Sequence, residues 1–301
     1  MMETNYHNPV LLKESVDGLL IKQDGVYVDV TFGGGGHSRE ILDRLGTGGK
    51  LIAFDQDEAA LANAIEDERF TLINENFRYL RQFLKFYGIQ KVDGILADFG
   101  VSSHQFDDPE RGFSTRFDEA LDMRMSTRIH TSARDVLNSY SEADLKKVFW
   151  RYGELKRAGA MAKAVVTSRA SGLISTTEDF KKTLAKFMPR HKENKVMAQI
   201  FQAIRIEVNQ ELEAIKEFLL QPPDVVSQGG RISLISYHSL EDRLVKRFIR
   251  TGKFEGEVEK DFYGNPLAPF KRIGKMIQPS TDEIAINNRA RSARLRIAER
   301  L

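Results

Sequence analysis

Val26-Tyr-Val-Asp-Val-Thr-Phe-Gly-Gly-Gly-Gly-His37 is a short apolar run, rich in β-branched residues, that ends in four consecutive glycines. Ser38-Arg-Glu-Ile-Leu-Asp-Arg-Leu45 follows at once and suits a helix. Strand, glycine loop and helix together let a backbone approach a nucleotide-like ligand, because glycine has no Cβ and tolerates positive φ. The next segment, Lys50-Leu-Ile-Ala-Phe-Asp55, reads as a second strand ending in a carboxylate, and Asp55 lies 20 positions after Gly35. That spacing suits an acid accepting hydrogen bonds from ribose hydroxyls.

The loop narrows the ligand without fixing it. A phosphate-binding Walker loop needs Gly-Lys-Ser/Thr, whereas here the glycines run into His37-Ser38. The dinucleotide pattern G-x-G-x-x-G fits Gly33 and Gly35 only loosely, since position 38 is Ser. Asp29, just before the loop, is unwelcome beside a pyrophosphate and suits a cofactor with positive charge and no phosphate. S-adenosylmethionine has those properties; a dinucleotide and a purely structural turn are the alternatives.

Bulk properties exclude several classes. With 301 residues, 41% hydrophobic and 29% charged, the chain has the composition of a globular protein with room for one large or two modest domains. No apolar run approaches the roughly 20 residues that span a bilayer, and Met1-Met-Glu-Thr-Asn-Tyr-His7 lacks the features of a signal peptide. The expected location is cytoplasmic. Absence of cysteine rules out disulfides, thiolate metal sites and cysteine nucleophiles, and the six scattered histidines give no reason to expect a metal. Charge is uneven. Residues 243–301 hold 14 basic and 7 acidic side chains, leaving 31 basic and 36 acidic elsewhere. Arg289, Arg291, Arg294 and Arg296 are therefore a candidate anion-binding surface, or else the solvated face of a strand with period-two alternation over 292–298.

Strands are expected at Phe70–Ile73 and Val92–Asp98, with a helix at Arg78–Tyr87 between them. The class that follows is α/β, a doubly wound, mostly parallel Rossmann-like sheet. From 132 to 220 the pattern is helical, over 132–140, 141–152, 156–170, 177–188 and 195–220, with Ser141 and Thr176 or Thr177 as helix starts. A strand returns at Arg231–Tyr237. The expected domains are a core of 1–107 and 196–301 and an inserted helical domain at 108–195. Ligands of open α/β sheets bind outside the carboxyl ends of the strands, so the glycine loop, Asp55 and Asp98 would share one site. Phe77, just past the third strand, would lie against the adenine ring or else pack in the core.

Further strings carry a resemblance. They are His7-Asn-Pro-Val-Leu-Leu-Lys-Glu14, Gly35-Gly-His-Ser38, Asp98-Phe-Gly-Val-Ser-Ser-His-Gln105, Arg111-Gly-Phe-Ser114, Leu121-Asp-Met-Arg-Met125, Phe201-Gln-Ala-Ile-Arg205, Ser236-Tyr-His-Ser-Leu-Glu-Asp-Arg243 and Arg289-Ala-Arg-Ser-Ala-Arg-Leu-Arg296. In this order they resemble the bacterial ribosomal RNA small-subunit methyltransferase H family. The resemblance implies an S-adenosylmethionine-dependent enzyme that methylates N4 of a cytosine in the decoding region of 16S rRNA within the small ribosomal subunit. It also implies a methyltransferase sheet with an inserted helical domain. Cofactor contacts carry over to Gly35, Gly36, His37, Asp55, Phe77, Asp98 and Gln105. Phe99 and Tyr237 stand where Leu and Phe are commoner, and Lys195-Val-Met-Ala-Gln-Ile200 replaces a basic, hydroxyl-rich string.

Asp98 is the expected catalytic acceptor for the target amine, with a backbone carbonyl of 98–100 as its alternative. His238, Arg291 and Arg294 are the expected substrate contacts, His238 lining the base pocket unless Ser239 there merely caps a helix. The helical insert and the arginines of 289–296 are expected to hold RNA between them. Competing readings are a DNA amino-methyltransferase, a nicotinamide-dependent dehydrogenase and a non-enzymatic RNA-binding protein on the same fold. A hydrolase is disfavoured, because no G-x-S-x-G elbow accompanies His238 and Ser239.

Overall fold

The computed structural model describes residues 9–301; His7 and Asn8 of the first resembling string lie outside them. Seven strands, β1 (Val26–Asp29), β2 (Lys50–Phe54), β3 (Phe70–Ile73), β4 (Val92–Asp98), β5 (Val226–Ser236), β6 (Phe270–Ile277) and β7 (Arg294–Arg300), form one sheet. Their order is β3-β2-β1-β4-β5-β7-β6. The five strands from β3 to β5 are parallel, and β7 runs antiparallel between β5 and β6. Val28 pairs with Ile52 on one side and Ile95 on the other, and all three are buried. Apolar runs without strict alternation are what a parallel strand covered on both faces requires. The chain winds outward from β1 through β2 to β3, then returns to build β4 and β5 on the other side. The carboxyl ends of β1 and β4 therefore flank the topological switch point, where such sheets bind ligands.

The helices, numbered along the chain, are α1 (Leu12–Leu19), α2 (Gly36–Arg44), α3 (Leu80–Phe86), α4 (Ser103–Asp107), α5 (Ala133–Ser139), α6 (Glu142–Arg151), α7 (Ala158–Arg169), α8 (Thr177–Leu184), α9 (Glu193–Asn209), α10 (Glu211–Leu219), α11 (Pro222–Val225), α12 (Ser239–Thr251) and α13 (Thr281–Ile286). None of the described helices is long and apolar enough to cross a membrane. The chain divides into two compact units, Met1–Gly100 with Leu212–Leu301, and Val101–Glu211. The first holds the sheet; the second holds α4 to α9 around its own core, which includes Leu137, Phe149, Phe180 and Phe201.

Local sequence accounts for the helical unit. The side chains of Ser132, Ser141 and Thr176 accept hydrogen bonds from the backbone of Asp135, Asp144 and Asp179, starting α5, α6 and α8 at the spacing that caps require. Asn209 is buried and ties down the Leu121–Met125 string. Its Nδ2 donates to the Met123 carbonyl at 2.7 Å and its Oδ1 accepts from the Met125 N–H at 2.7 Å, holding Met123 in a left-handed conformation (φ 59°). Two boundaries differ from expectation. The helix expected over 195–220 is two, because Gln210 turns left-handed (φ 50°) between α9 and α10. β5 begins at Val226 rather than at 231, since Gly229 and a register shift opposite Val92–Gly94 carry the strand through a bulge that breaks the apolar pattern.

Candidate active site

The glycine loop leaves β1 and enters α2. Gly33 (φ 51°) and Gly35 (φ 78°) both occupy the left-handed region that disfavours side chains, and a Cβ at Gly33 would meet nothing within 4 Å. The loop thus offers bare backbone to open space. It is held from beneath: the Gly33 N–H donates to Asp55 Oδ2 at 2.7 Å, and Asn63 Nδ2 donates to the Gly33 carbonyl at 3.1 Å. Gly36 is glycine for another reason, since its Cβ would lie 2.1 Å from Pro9 Cγ.

Three carboxylates gather at these strand ends. Asp29 is buried and its oxygens are engaged by Ser38 Oγ at 2.7 Å and the Thr31 N–H at 3.1 Å. It fastens β1 to α2 through both of its oxygens. Asp55, half-buried, accepts from the Gly33 and Asp57 N–H groups. Asp98 ends β4, and its own N–H donates to Thr31 Oγ1 at 2.6 Å, locking the end of β4 to the start of the loop. Its Oδ1 is buried without a hydrogen-bond partner. Such an atom costs free energy in the folded chain and marks where a donor or cation belongs.

Burial pushes all three acids up to about 6, against partial compensation. Ser38 and Thr31 pull Asp29 down, and the Asp57 and Gly33 N–H groups do so for Asp55. For Asp98 the compensation comes from His37 and from the Tyr237 hydroxyl. Burial in turn drives the His37 imidazole below its usual range. Its Nε2 lies 3.2 Å from the Val10 carbonyl, which fixes the ring. The Tyr237 hydroxyl is pushed well above the ordinary tyrosine value by burial and by Asp98. At neutral pH the site therefore holds carboxylates, a neutral imidazole and a neutral phenol.

Gly35, Gly36, His37, Asp55 and Asp98 thus meet at the end of one sheet. Phe77 stands past β3, half-buried, with ring centroids 5.5 Å from Phe218 and 5.8 Å from Phe99. Gln105 lies in the helical unit, buried, where its Oε1 accepts from the Ser102 N–H and closes a cap at the start of α4. His238, rather than Ser239, caps α12: Nδ1 accepts from the Glu241 N–H, while buried Glu241 Oε2 accepts from Tyr237 N–H at 2.8 Å. The arginine cluster needs correction. Arg296 is buried and bound to Asp242 at 2.7 and 3.1 Å, and Arg294 reaches the same carboxylate at 3.0 Å. The expected solvated face fails because α12 packs on β7 and its Asp242 draws in Arg294 and Arg296. Arg291 is exposed. Sequence reasoning missed Thr31, Ser38 and the hydroxyl of Tyr237; the last carried a signal, since Phe is the commoner residue there.

Bare loop backbone at the switch point, acids ending β2 and β4, and an unpartnered Asp98 oxygen fit a cationic, phosphate-free adenosyl ligand. The sheet and its site define an S-adenosylmethionine-dependent methyltransferase. The chain belongs to the MraW methylase family, whose model matches residues 4–301. It is 65% identical over 296 residues to the ribosomal RNA small subunit methyltransferase H of Flavobacterium johnsoniae, covering 98% of each chain. It is 64% identical over 301 residues to that of Christiangramia forsetii, covering 100% of each, and 54% identical over 299 residues to that of Bacteroides fragilis, covering 99% of this chain and 98% of the relative.

Proposed function

We propose that this chain methylates N4 of a cytosine in the decoding region of 16S rRNA, acting on the small ribosomal subunit. Asp98 carries the chemical part of this reading, being a carboxylate at the switch point with one buried oxygen left open. The names of its relatives support the substrate. When bound, S-adenosylmethionine would supply a methyl group made electrophilic by its sulfonium, the sulfur–methyl bond breaking to leave a neutral thioether.

The chain's own residues do the rest. Gly33, Gly35 and Gly36 offer backbone to the amino acid part of the cofactor, and Asp55 faces its ribose. Phe77 and His37 bound the pocket. The exocyclic amine of cytosine is a weak nucleophile, its lone pair being delocalised into the ring. Holding it in line with the methyl lowers the barrier. As the N–C bond forms the amine gains positive charge, and Asp98 Oδ1 accepts its hydrogen bond and then its proton. With a carboxyl at about 6, Asp98 is ionised at neutral pH yet basic enough to take that proton. His238 and Arg291 are proposed substrate contacts. Arg294, paired with Asp242, has less of its charge to offer. The helical insert at 108–195 is assigned to substrate recognition. The target base must leave its stack to reach the methyl, which favours an unpaired nucleotide.

Transfer of a labelled methyl to small-subunit particles, naked 16S rRNA and DNA, followed by nucleoside analysis, tests the reading. The expected product is N4-methylcytidine from the ribosomal substrate, with activity falling as salt rises. Label in DNA, on adenine or on C5 of cytosine would overturn it.

A further inference from the structure

The chain has a single tryptophan, and Trp150 is 67% exposed on α6. Leu145, Val148 and Phe149 supply the buried face of that helix, so the indole adds nothing to the core. Its neighbours are cationic. Lys146 and Lys147 lie one turn back at the i−4 and i−3 positions, Arg151 is adjacent with its guanidinium over the Tyr152 ring at 5.5 Å, and all three are exposed. Lys147 is paired only with Asp144, at 2.8 Å between two largely solvated side chains, a contact of little strength. Across residues 141–163 there are six basic side chains and three acidic ones.

We infer that Trp150 with Lys146, Lys147 and Arg151 is a single-strand RNA platform on the helical unit: a base stacks on the indole while the flanking phosphates meet the cations. This rests on the proposed RNA substrate and narrows recognition by the helical insert to one named surface. A lone exposed aromatic is ordinary; a large π-face with two lysines at helical neighbour positions and an arginine beside it matches what sequence-tolerant single-strand binders use. Charge complementarity favours RNA over a basic protein surface.

Because Trp150 is the only indole, its fluorescence reports this surface alone. Titration with a single-stranded RNA of about eight nucleotides should quench it saturably. By anisotropy of labelled RNA, Trp150→Ala should bind about tenfold more weakly, and Trp150→Phe, which keeps an aromatic face, should lose less. Lys146→Glu with Lys147→Glu should lower affinity and flatten its salt dependence by roughly 0.7 in log–log slope per lost phosphate contact. Circular dichroism guards against unfolding, and Trp150→Phe carries the test if the alanine variant is unstable. Unchanged RNA affinity in a folded Trp150 variant overturns the inference, as does equal quenching by inorganic polyphosphate. A loss confined to ribosomal particles would assign the surface to a protein instead. Methyl transfer by the unaltered chain, measured alongside, separates the two readings. Its absence defeats the proposed function, whereas normal transfer with no Trp150 effect on RNA defeats only the platform.

Discussion

The sheet unit contains two clusters of buried charge, and they are built on opposite terms. At the carboxyl ends of β1, β2 and β4, Asp29 opposes the ionisation of both Asp55 and Asp98, none of the three pairs with an arginine or lysine among the described residues, and all are pushed up to about 6. Beside β7, Asp242 is held below the ordinary carboxylate range by Arg296 and Arg294 despite its burial. Paired charge closes on itself and serves the architecture. Acids left without a cation keep their field for something that arrives from solution, and an adenosyl sulfonium has the matching sign.

The largest way to break this comparison is at the paired cluster. Asp242→Ala strands the buried Arg296 charge and should cost on the order of 3–5 kcal/mol in urea unfolding. A loss below 1 kcal/mol would mean the pair is only surface decoration. Asp98→Asn should leave the fold intact and cofactor affinity within a few-fold while lowering kcat by about 100-fold or more. Normal turnover would move the acceptor role to a backbone carbonyl of 98–100.

A finer probe is Tyr237→Phe, which removes a hydroxyl that favours the ionised Asp98. The acid limb of the rate profile, near pH 6, should move to higher pH, with a roughly two- to tenfold loss at pH 6 that shrinks above pH 8. A uniform loss at every pH would make the tyrosine merely structural. The smallest effect concerns linkage. These acids titrate higher in the folded than in the unfolded chain, so their contribution to stability is present below about pH 4 and is lost as pH rises through about 6. A cationic cofactor favours the ionised forms. Its thermal stabilisation, relative to S-adenosylhomocysteine, which lacks the sulfonium charge, should therefore be greater at pH 7.5 than at pH 5.

Much of the sheet was legible because its parallel strands are short apolar runs punctuated by glycine or aspartate. Asp55 and Asp98 could be located since each ends such a run. The edge strand β6 escaped notice: Lys271, Arg272, Gly274 and Lys275 interrupt it, and an edge needs no continuous apolar pattern. The fate of the arginines was illegible for a different reason. Arg296 and Asp242 are 54 positions apart, and nothing local to either names the other. That Ser38 and the Thr31 N–H would hold Asp29 was illegible too, since nothing in the sequence separates a buried acid bound by the fold from one facing a ligand. The break at Gln210 carries no glycine or proline to announce it.

Gly36 holds a lesson about mutational tolerance. Its backbone is not left-handed, so alanine would fit its torsions; only the Pro9 ring, 2.1 Å from the missing Cβ, forbids it. With Pro9 replaced by alanine, the two nearest atoms, Cγ and Cδ, are gone and the remaining approach, 3.4 Å to Cβ, lies at the edge of ordinary contact. Positions 9 and 36 are thus epistatic: the second is free to drift only after the first has lost its ring. A glycine proposed to face the cofactor is thus also held in place by a residue 27 positions earlier.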